Sequence, residues 1–296
     1  MLVTVLGAGA GGGLPQWNCA CRNCNGAWAG LLPRMTQSSV AVSPDGVDWA
    51  VLNTSPDIRD QLQNCAALYP PVLRGSPIRA VVLTNADVDH VMGLLTLREK
   101  TPFSVHATSE TLSVLAANPI VRVLDPALVE RRAIMLDRPF SPVPGLTMTA
   151  FAVPGKVALY LEDVTSDTKM MGEQTVALSI SDGESRLYYV PGCAEIPDWL
   201  VARLSDGDAV LFDGTVRSDD EMAASGTGAK TGSRMGHVAM SGAGGSLARL
   251  ASLTETHKIY VHINNTNPVL QPDGPEGAEV TARGWTVAQD GLELRL

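Results

Sequence analysis

Aromatic residues are scarce in this 296-residue chain, at 5%, and no apolar run approaches the length of about 18 that a membrane-spanning helix needs. Positive charge is also in short supply. The 22 Lys+Arg stand against 31 Asp+Glu, for a net charge of −9, which argues against a nucleic-acid backbone as the main partner. Five histidines cap the number of imidazole ligands that any metal site can use. The five cysteines are odd in number, and three of them fall within six positions, so they are not a disulfide framework. The start MLVTVLGAGAGGG has no basic segment leading into a long apolar one, so it does not read as a secretory signal. Together these absences predict a cytoplasmic protein in a reducing compartment.

What is there suits a large core with many shaped loops. Hydrophobic residues make up 45%, alongside 28 Gly and 19 Pro. Residues 2–6 read as a buried strand that ends at Gly7. Residues 38–42 and 47–52 flank Pro44-Asp45-Gly46 and predict a hairpin. Helical spacing is expected over 56–68, 92–100, 109–117 and 241–253, with a last helix around 280–283. Strands are expected at 78–83, from Val105, and at 146–152, 177–181, 187–190, 209–212 and 258–261. Residues 217–234 read as a long exposed loop, and 288–296 as a closing hairpin that turns at Asp290-Gly291. Hairpins followed by helix-separated strands, in both halves, predict sheets packed face to face with helices outside. The expectation is one domain over 1–296, in the α/β (α+β) class.

Gly7-Ala8-Gly9-Ala10-Gly11-Gly12 matches G-x-G-x-x-G after a strand. A dinucleotide site needs a helix to start there and an acidic residue about 20 positions on. Gly13-Leu14-Pro15 and a cysteine cluster follow instead, and the next acidic residue is Asp45. The run therefore reads as a turn that brings backbone close to something else.

Cys19-Ala20-Cys21-Arg22-Asn23-Cys24 is C-x-C-x-x-C. Three thiols this close can converge on one tetrahedral ion, and thiolates suit a structural zinc. The fourth ligand is not local. Cys65, Cys193, a His or an Asn are the candidates, although Cys65 has the spacing of a core residue.

The sharpest signal is Thr84-Asn85-Ala86-Asp87-Val88-Asp89-His90, after a buried strand and before Gly93-Leu94. Neighbouring strand residues point to opposite faces, so Asp89 and His90 can share an ion only on a turn. This segment resembles the strand-to-helix turn of the metallo-β-lactamase superfamily, T-H-x-H-x-D-H followed by G-L. Asn85 and Asp87 stand where the superfamily has its first two histidines. Tyr189-Val190-Pro191-Gly192-Cys193 resembles the segment that usually delivers a bridging Asp, and offers no carboxylate. Met235-Gly236-His237 and Val261-His262-Ile263-Asn264-Asn265 resemble the late G-H and the final strand-end His.

Longer strings are similar to one family within it, coenzyme PQQ synthesis protein B. They are residues 11–19 (GGGLPQWNC), 53–59 (NTSPDIR) and 262–268 (HINNTNP). The resemblance implies a four-layer αββα sandwich and a part in making pyrroloquinoline quinone from a Glu-Tyr cross-linked peptide precursor. It also implies that the two-zinc site is not assembled. Asp89, His90 and His262 remain, one carboxylate and two imidazoles, with Asp87 as a possible addition. That set is associated with non-haem Fe(II) and O2. The implied activity is iron- and O2-dependent hydroxylation of the tyrosine-derived ring. His237 would move protons, Asp213 would orient a ligand histidine, and Arg34 and Arg59 would bind substrate carboxylates. Other proteins of the same pathway are possible partners. The alternatives are a hydrolase with one zinc and a soluble carrier of PQQ or its precursor. His106 and His257 lack such context and read as core or surface histidines.

Overall fold

The structure is a computed structural model and describes residues 1–163 and 167–296. Successive side chains along its strands point to opposite faces, and in the central strands both sets are apolar. Val40, Ala50, Leu52, Ala80 and Val82 enter the core between the sheets. Their neighbours Ala41, Trp49, Val51, Val81 and Leu83 enter a second core on the outer face.

Strands are numbered along the chain. β1 (Leu2–Gly7), β2 (Ser39–Ser43), β3 (Trp49–Leu52), β4 (Ile78–Val82), β5 (Phe103–Thr108) and β6 (Val129–Ile134) form one sheet in that order. β7 (Pro139–Phe140), β8 (Thr147–Ala152), β9 (Val176–Ser181), β10 (Arg186–Val190), β11 (Ala209–Asp213), β12 (His257–Val261) and β13 (Trp285–Val287) form the other. The last strand, β14 (Glu293–Arg295), returns to the first sheet and pairs with β1. Each sheet is antiparallel in one half and parallel in the other. In the first, β3 to β6 run parallel. In the second, β10 to β13 do. Helices Ile58–Asn64 and Ser109–Ala117 cover the first sheet, through Ile58 and Leu115. Asp198–Leu204 and Pro275–Ala282 join the core of the second, through Leu200, Leu204 and Val280. This is the four-layer αββα sandwich that the resemblance implied.

Several elements depart from the sequence reading. Residues 288–296 are not a hairpin. β13 pairs with β12 and β14 with β1, so 288–292 cross between the sheets. The Asp290 carboxylate turns inward there and accepts hydrogen bonds from the backbone N–H of Ala8 (2.9 Å) and Thr36 (2.7 Å). The helix expected at 92–100 starts earlier, as a helical turn Val88–Val91 that passes into a 3-10 turn Met92–Leu95. Of 241–253 only Ser246–Arg249 is helical. The stretch 217–234 is not uniformly exposed. It holds the helical turns Glu221–Ala224 and Gly232–Met235, and Glu221 is buried with its carboxylate accepting from Thr266 Oγ1 at 2.6 Å. Helix Arg22–Trp28 begins inside the cysteine cluster, where no apolar period announced it.

Candidate metal centre

In sheets with parallel strands, ligands gather outside the carboxyl ends. The candidate residues lie there. β4 leads into Asn85–His90, β11 ends on Asp213, and β12 delivers His262. Val88–Val91 is the turn that Asp89 and His90 required. It docks through Thr54, whose N–H donates to the His90 carbonyl at 2.7 Å and whose carbonyl accepts from Gly93 N. A Cβ at Gly93 would lie 2.2 Å from the Ser55 carbonyl, so only glycine permits this contact. His262 has a left-handed backbone, φ 56°, which costs a non-glycine residue about 1–3 kcal/mol. Its neighbours hold it there. Ile263 N donates to the Ala8 carbonyl and Asn264 N to the Thr215 carbonyl.

The geometry of the three side chains calls for a cation. Asn85 Oδ1 accepts from Asp87 N at 3.0 Å and from His90 Nδ1 at 2.7 Å. His90 therefore carries its proton on Nδ1, and its Nε2 keeps a lone pair. That nitrogen is buried and has no hydrogen-bond partner. Thr215 Oγ1 donates to Asp213 Oδ1 at 2.7 Å and lies 2.8 Å from His262 Nδ1, from which it accepts. The second bare nitrogen, His262 Nε2, then faces Asp89 Oδ2 at 3.1 Å. The same carboxylate oxygen is 4.0 Å from His90 Nε2. Two acceptors cannot face each other stably unless a proton or a metal ion lies between them. Burial, helped by His262 and His237, pushes the His90 imidazole down to about 4, and Asp89 only partly offsets it. Burial also works against a charged His262, but Asp89, with Asp213 and Asp87, outweighs it and raises its pKa. Asp89 itself is held well below the usual carboxylate range, because His90 and His262 outweigh its burial. The residues present fit a metal.

His237 stands beside this corner, stacked on His262 with ring centres 5.1 Å apart. Asp213 Oδ2 accepts from its Nδ1 at 2.8 Å. Asp213 also accepts from Cys193 N and from Thr215 N, so this fully buried carboxylate is satisfied by hydrogen bonds. Asp213, His237 and His262 are close enough to suggest a second metal set. Their facing atoms are already used in hydrogen bonds through Asp213 and Thr215, which accounts for the cluster. Asp213 thus orients His237 directly and His262 through Thr215. Thr215 escaped the sequence reading, because a threonine two residues after a strand-end Asp is common in turns.

The expected addition from Asp87 is not seen. Its carboxylate turns to Leu159 N at 3.4 Å and lies outside the close group of Asp89, His90 and His262. Arg34 and Arg59 are also corrected. Arg34 lies over the Trp28 ring at 5.3 Å. The helix of Arg59 buries Ile58 and Gln61, which turns Arg59 outward into a separate apolar cavity of about 600 Å³ that holds no histidine or cysteine. The cavity at the metal corner is about 270 Å³, and its cations are Lys156, Lys230 and Arg234. His106 is buried in β5 and His257 is exposed at the start of β12.

The glycine-rich turn passes close to the site, as its composition suggested. A Cβ on Gly11 would sit 3.3 Å from Asp89 Oδ2. Cys19, Cys21 and Cys24 converge, with their sulfurs within 4.8 Å of one another. Cys65 belongs to the outer core, and the Cys193 thiol donates to the Glu195 carbonyl, so neither joins them. Asn265 does. The nitrogen end of its side-chain amide lies 3.3, 3.7 and 3.2 Å from the three sulfurs. Among the described residues no helix is long and apolar enough to cross a membrane.

Comparison with known proteins finds relatives over the full length of the chain. A family model described as the beta-lactamase superfamily domain matches residues 48–263. Coenzyme PQQ synthesis protein B of Ruegeria pomeroyi is 54% identical, over 100% of both chains. The Rhizobium meliloti protein of that name is 55% identical, over 99% of this chain and 97% of its own. The crystal structure of Zn2+-bound PqqB from Methylobacterium extorquens is 53% identical over 100% of both chains, with a TM-score of 0.98.

Proposed function

This chain belongs to the coenzyme PQQ synthesis protein B family, within the beta-lactamase superfamily, and from that premise we propose that it acts in PQQ biosynthesis as an iron- and O2-dependent hydroxylase. The substrate in this reading is the tyrosine-derived ring of a Glu-Tyr cross-linked precursor. The observation that carries it is that His90 Nε2, which has no hydrogen-bond partner, and His262 Nε2, which meets Asp89 Oδ2 at 3.1 Å, are gathered around the same carboxylate oxygen. One carboxylate and two imidazoles form the donor set of non-haem Fe(II) sites with open positions. Bound there, Fe(II) supplies the O2 activation that ring hydroxylation needs, with an external two-electron reductant taking the second oxygen atom to water. Lys156 supports a single ion. It shares the cavity with Asn85 and Asp87 and acts electrostatically on Asp87, so a second cation there meets an ammonium.

The protein's own groups prepare the rest. Asn85 and Thr215 fix the two imidazoles in the tautomers that present Nε2. His237 is held through Nδ1 by Asp213, which leaves Nε2 to exchange a proton with a ring oxygen of the substrate. Asp213 stays ionised beside it. Its pKa is lowered because the charge and hydrogen bond of His237, with His262 and Thr215, outweigh its burial. Cys19, Cys21 and Cys24 are read as a structural zinc site that the Asn265 side chain closes through its carbonyl oxygen, once the terminal amide is reversed from the orientation in which Nδ2 donates to the sulfurs.

The test is direct. The protein is purified without air, loaded with Fe(II) and given a Glu-Tyr cross-linked diamino acid. Oxygen uptake with a mass gain of one oxygen atom per hydroxylation supports the reading. Binding of PQQ without turnover would replace it with a carrier, and turnover of an ester with zinc alone would replace it with a hydrolase. In Asp89→Ala, metal analysis should show the cysteine-held zinc retained and the second metal lost.

A further inference from the structure

The chain carries a net charge of −9, yet three cations line the cavity at the metal corner. They are Lys156, Lys230 and Arg234. The carboxylates on the same wall are Asp87, Asp89 and Glu162. Asp89 is engaged by His262, and Asp87 faces the Leu159 backbone. Glu162 is the one of the three that is in ion-pair contact with the cations, while Asp87 feels Lys156 at longer range. Its Oε1 lies 2.5 Å from Lys156 Nζ and its Oε2 lies 2.7 Å from Arg234 Nη2. One buried carboxylate is thus shared by two cations. Lys230 is exposed and lines the same cavity. A divalent ion at the metal corner would make this wall more positive still.

The cations are placed, not loose. The aliphatic stem of Lys156 runs over Gly236, where a Cβ would lie 3.1–3.4 Å from Cγ, Cδ and Cε. Gly236 has φ +85°, a backbone that disfavours any side chain. Arg234 rides on the helical turn Gly232–Met235, and its backbone N–H is capped by Thr231 Oγ1 at 3.1 Å. The same turn is tied down at Ser233, whose N–H and hydroxyl donate to Asp219 Oδ1 at 2.7 and 2.6 Å. Arg234 remains partly open to solvent, so guanidinium donors beyond the one facing Glu162 can meet a ligand.

We propose that Lys156, Lys230 and Arg234 form a carboxylate receptor that orients an anionic substrate, ring inward, against the Asp89–His90–His262 corner. Arg234 presents a planar fork suited to a carboxylate, and Lys230 adds a mobile point charge at the rim. Glu162 holds Lys156 and Arg234 together before the substrate arrives. The inference takes the substrate's ring from the proposed function. Its own content is the recognition of carboxylates.

The experiment measures binding apart from turnover. Anaerobic, metal-loaded protein is titrated by calorimetry with the Glu-Tyr cross-linked diamino acid and with its methyl esters. Wild type should bind the free acid more tightly than the ester, and added salt should weaken only the acid. Lys230→Gln and Arg234→Gln should each raise the Kd of the acid about tenfold, the effect of losing one charge-assisted hydrogen bond. Both should leave ester binding and metal content unchanged, and Arg234→Lys should recover part of the loss. Lys230 is exposed, so its variant tests the idea without a folding risk. Equal binding of acid and ester by wild type, or equal shifts for both ligands in the variants, overturns the receptor. Acid binding that depends on Arg234 in a protein that never hydroxylates would discard the hydroxylase and keep the receptor. Hydroxylation with an unchanged KM in both variants would do the reverse.

Discussion

Asn85 and Thr215 touch no substrate in this reading, yet each decides which nitrogen of a histidine is bare. Replacing Asn85 by Ala frees the His90 proton to move between its two nitrogens. Metal affinity should fall about 10–100-fold, the usual cost of losing such a partner, and a competitive chelator titration measures it. Thr215→Val keeps the shape and removes the hydroxyl. It should cause a similar loss of metal at the His262 side. It should also cost about 1–3 kcal/mol in denaturant unfolding, because the buried Asp213 Oδ1 loses a donor. Gly11 is a third case. A methyl group at Gly11 would press on Asp89 Oδ2, so Gly11→Ala should weaken metal binding while Cys19, Cys21 and Cys24 keep theirs. Metal analysis after dialysis distinguishes the two. Asp89, His90 and His262 were legible because their neighbours form recognisable strings. Thr215, Lys156 and Arg234 were not, because their roles arise from chain crossings that no local pattern records. Arg34 and Arg59 failed for the same reason. A guanidinium in a sequence has no direction until its helix is packed.

Among the elements, strands announced themselves better than helices. β2, β3 and β4 stand out as short, nearly continuous apolar runs because both faces are apolar and each feeds a separate core. The short helices are set by tertiary contact. Val88–Val91 exists because Thr54 and Gly93 dock it, and Arg22–Trp28 because the cysteines converge at its start. The crossing at 288–292 misled for a physical reason. Asp290-Gly291 is a good turn pair, but the Asp290 carboxylate is buried against Ala8 and Thr36, and the strands on either side belong to different sheets. On β5, His106 is buried beside Ser104 and stacked on Phe140 at 5.4 Å. Burial, helped by Arg132, pushes its pKa down to about 4. Between about pH 6.5 and 4 the unfolded chain takes up a proton that the folded one refuses, so stability falls as pH falls. The loss is on the order of 3 kcal/mol. Urea melts at pH 7 and pH 4.5 should show a shallower fall for His106→Gln than for wild type. An equal fall would show that this histidine is protonated in the fold.

At the scale of the whole molecule, the two sheets repeat one plan without repeating a sequence. Each runs antiparallel and then parallel, and the site lies at the carboxyl ends of both parallel halves. The first sheet supplies Asp89 and His90, and the second supplies Asp213, and His262. Neither half contains a complete set, so the site reports on the docking of the two. The turn after β12 goes further, because it serves both clusters. His262 closes the one with Asp89, and Asn265 covers the sulfurs of the other. Stripping the cysteine-held ion with a thiol-selective reagent should therefore weaken Fe(II) binding, although Asp89, His90 and His262 are untouched. Fe(II) titrations before and after stripping measure the change, and identical curves would mean that the turn keeps its shape unaided. The left-handed bend at His262 adds to this, since a strained residue relaxes when its anchors loosen. If the proposed ions bind, loading would have a sequence in time: the ion at the sulfurs would set the bend before the ion at the imidazoles is taken up, and protein made without zinc should carry less metal at Asp89, His90 and His262.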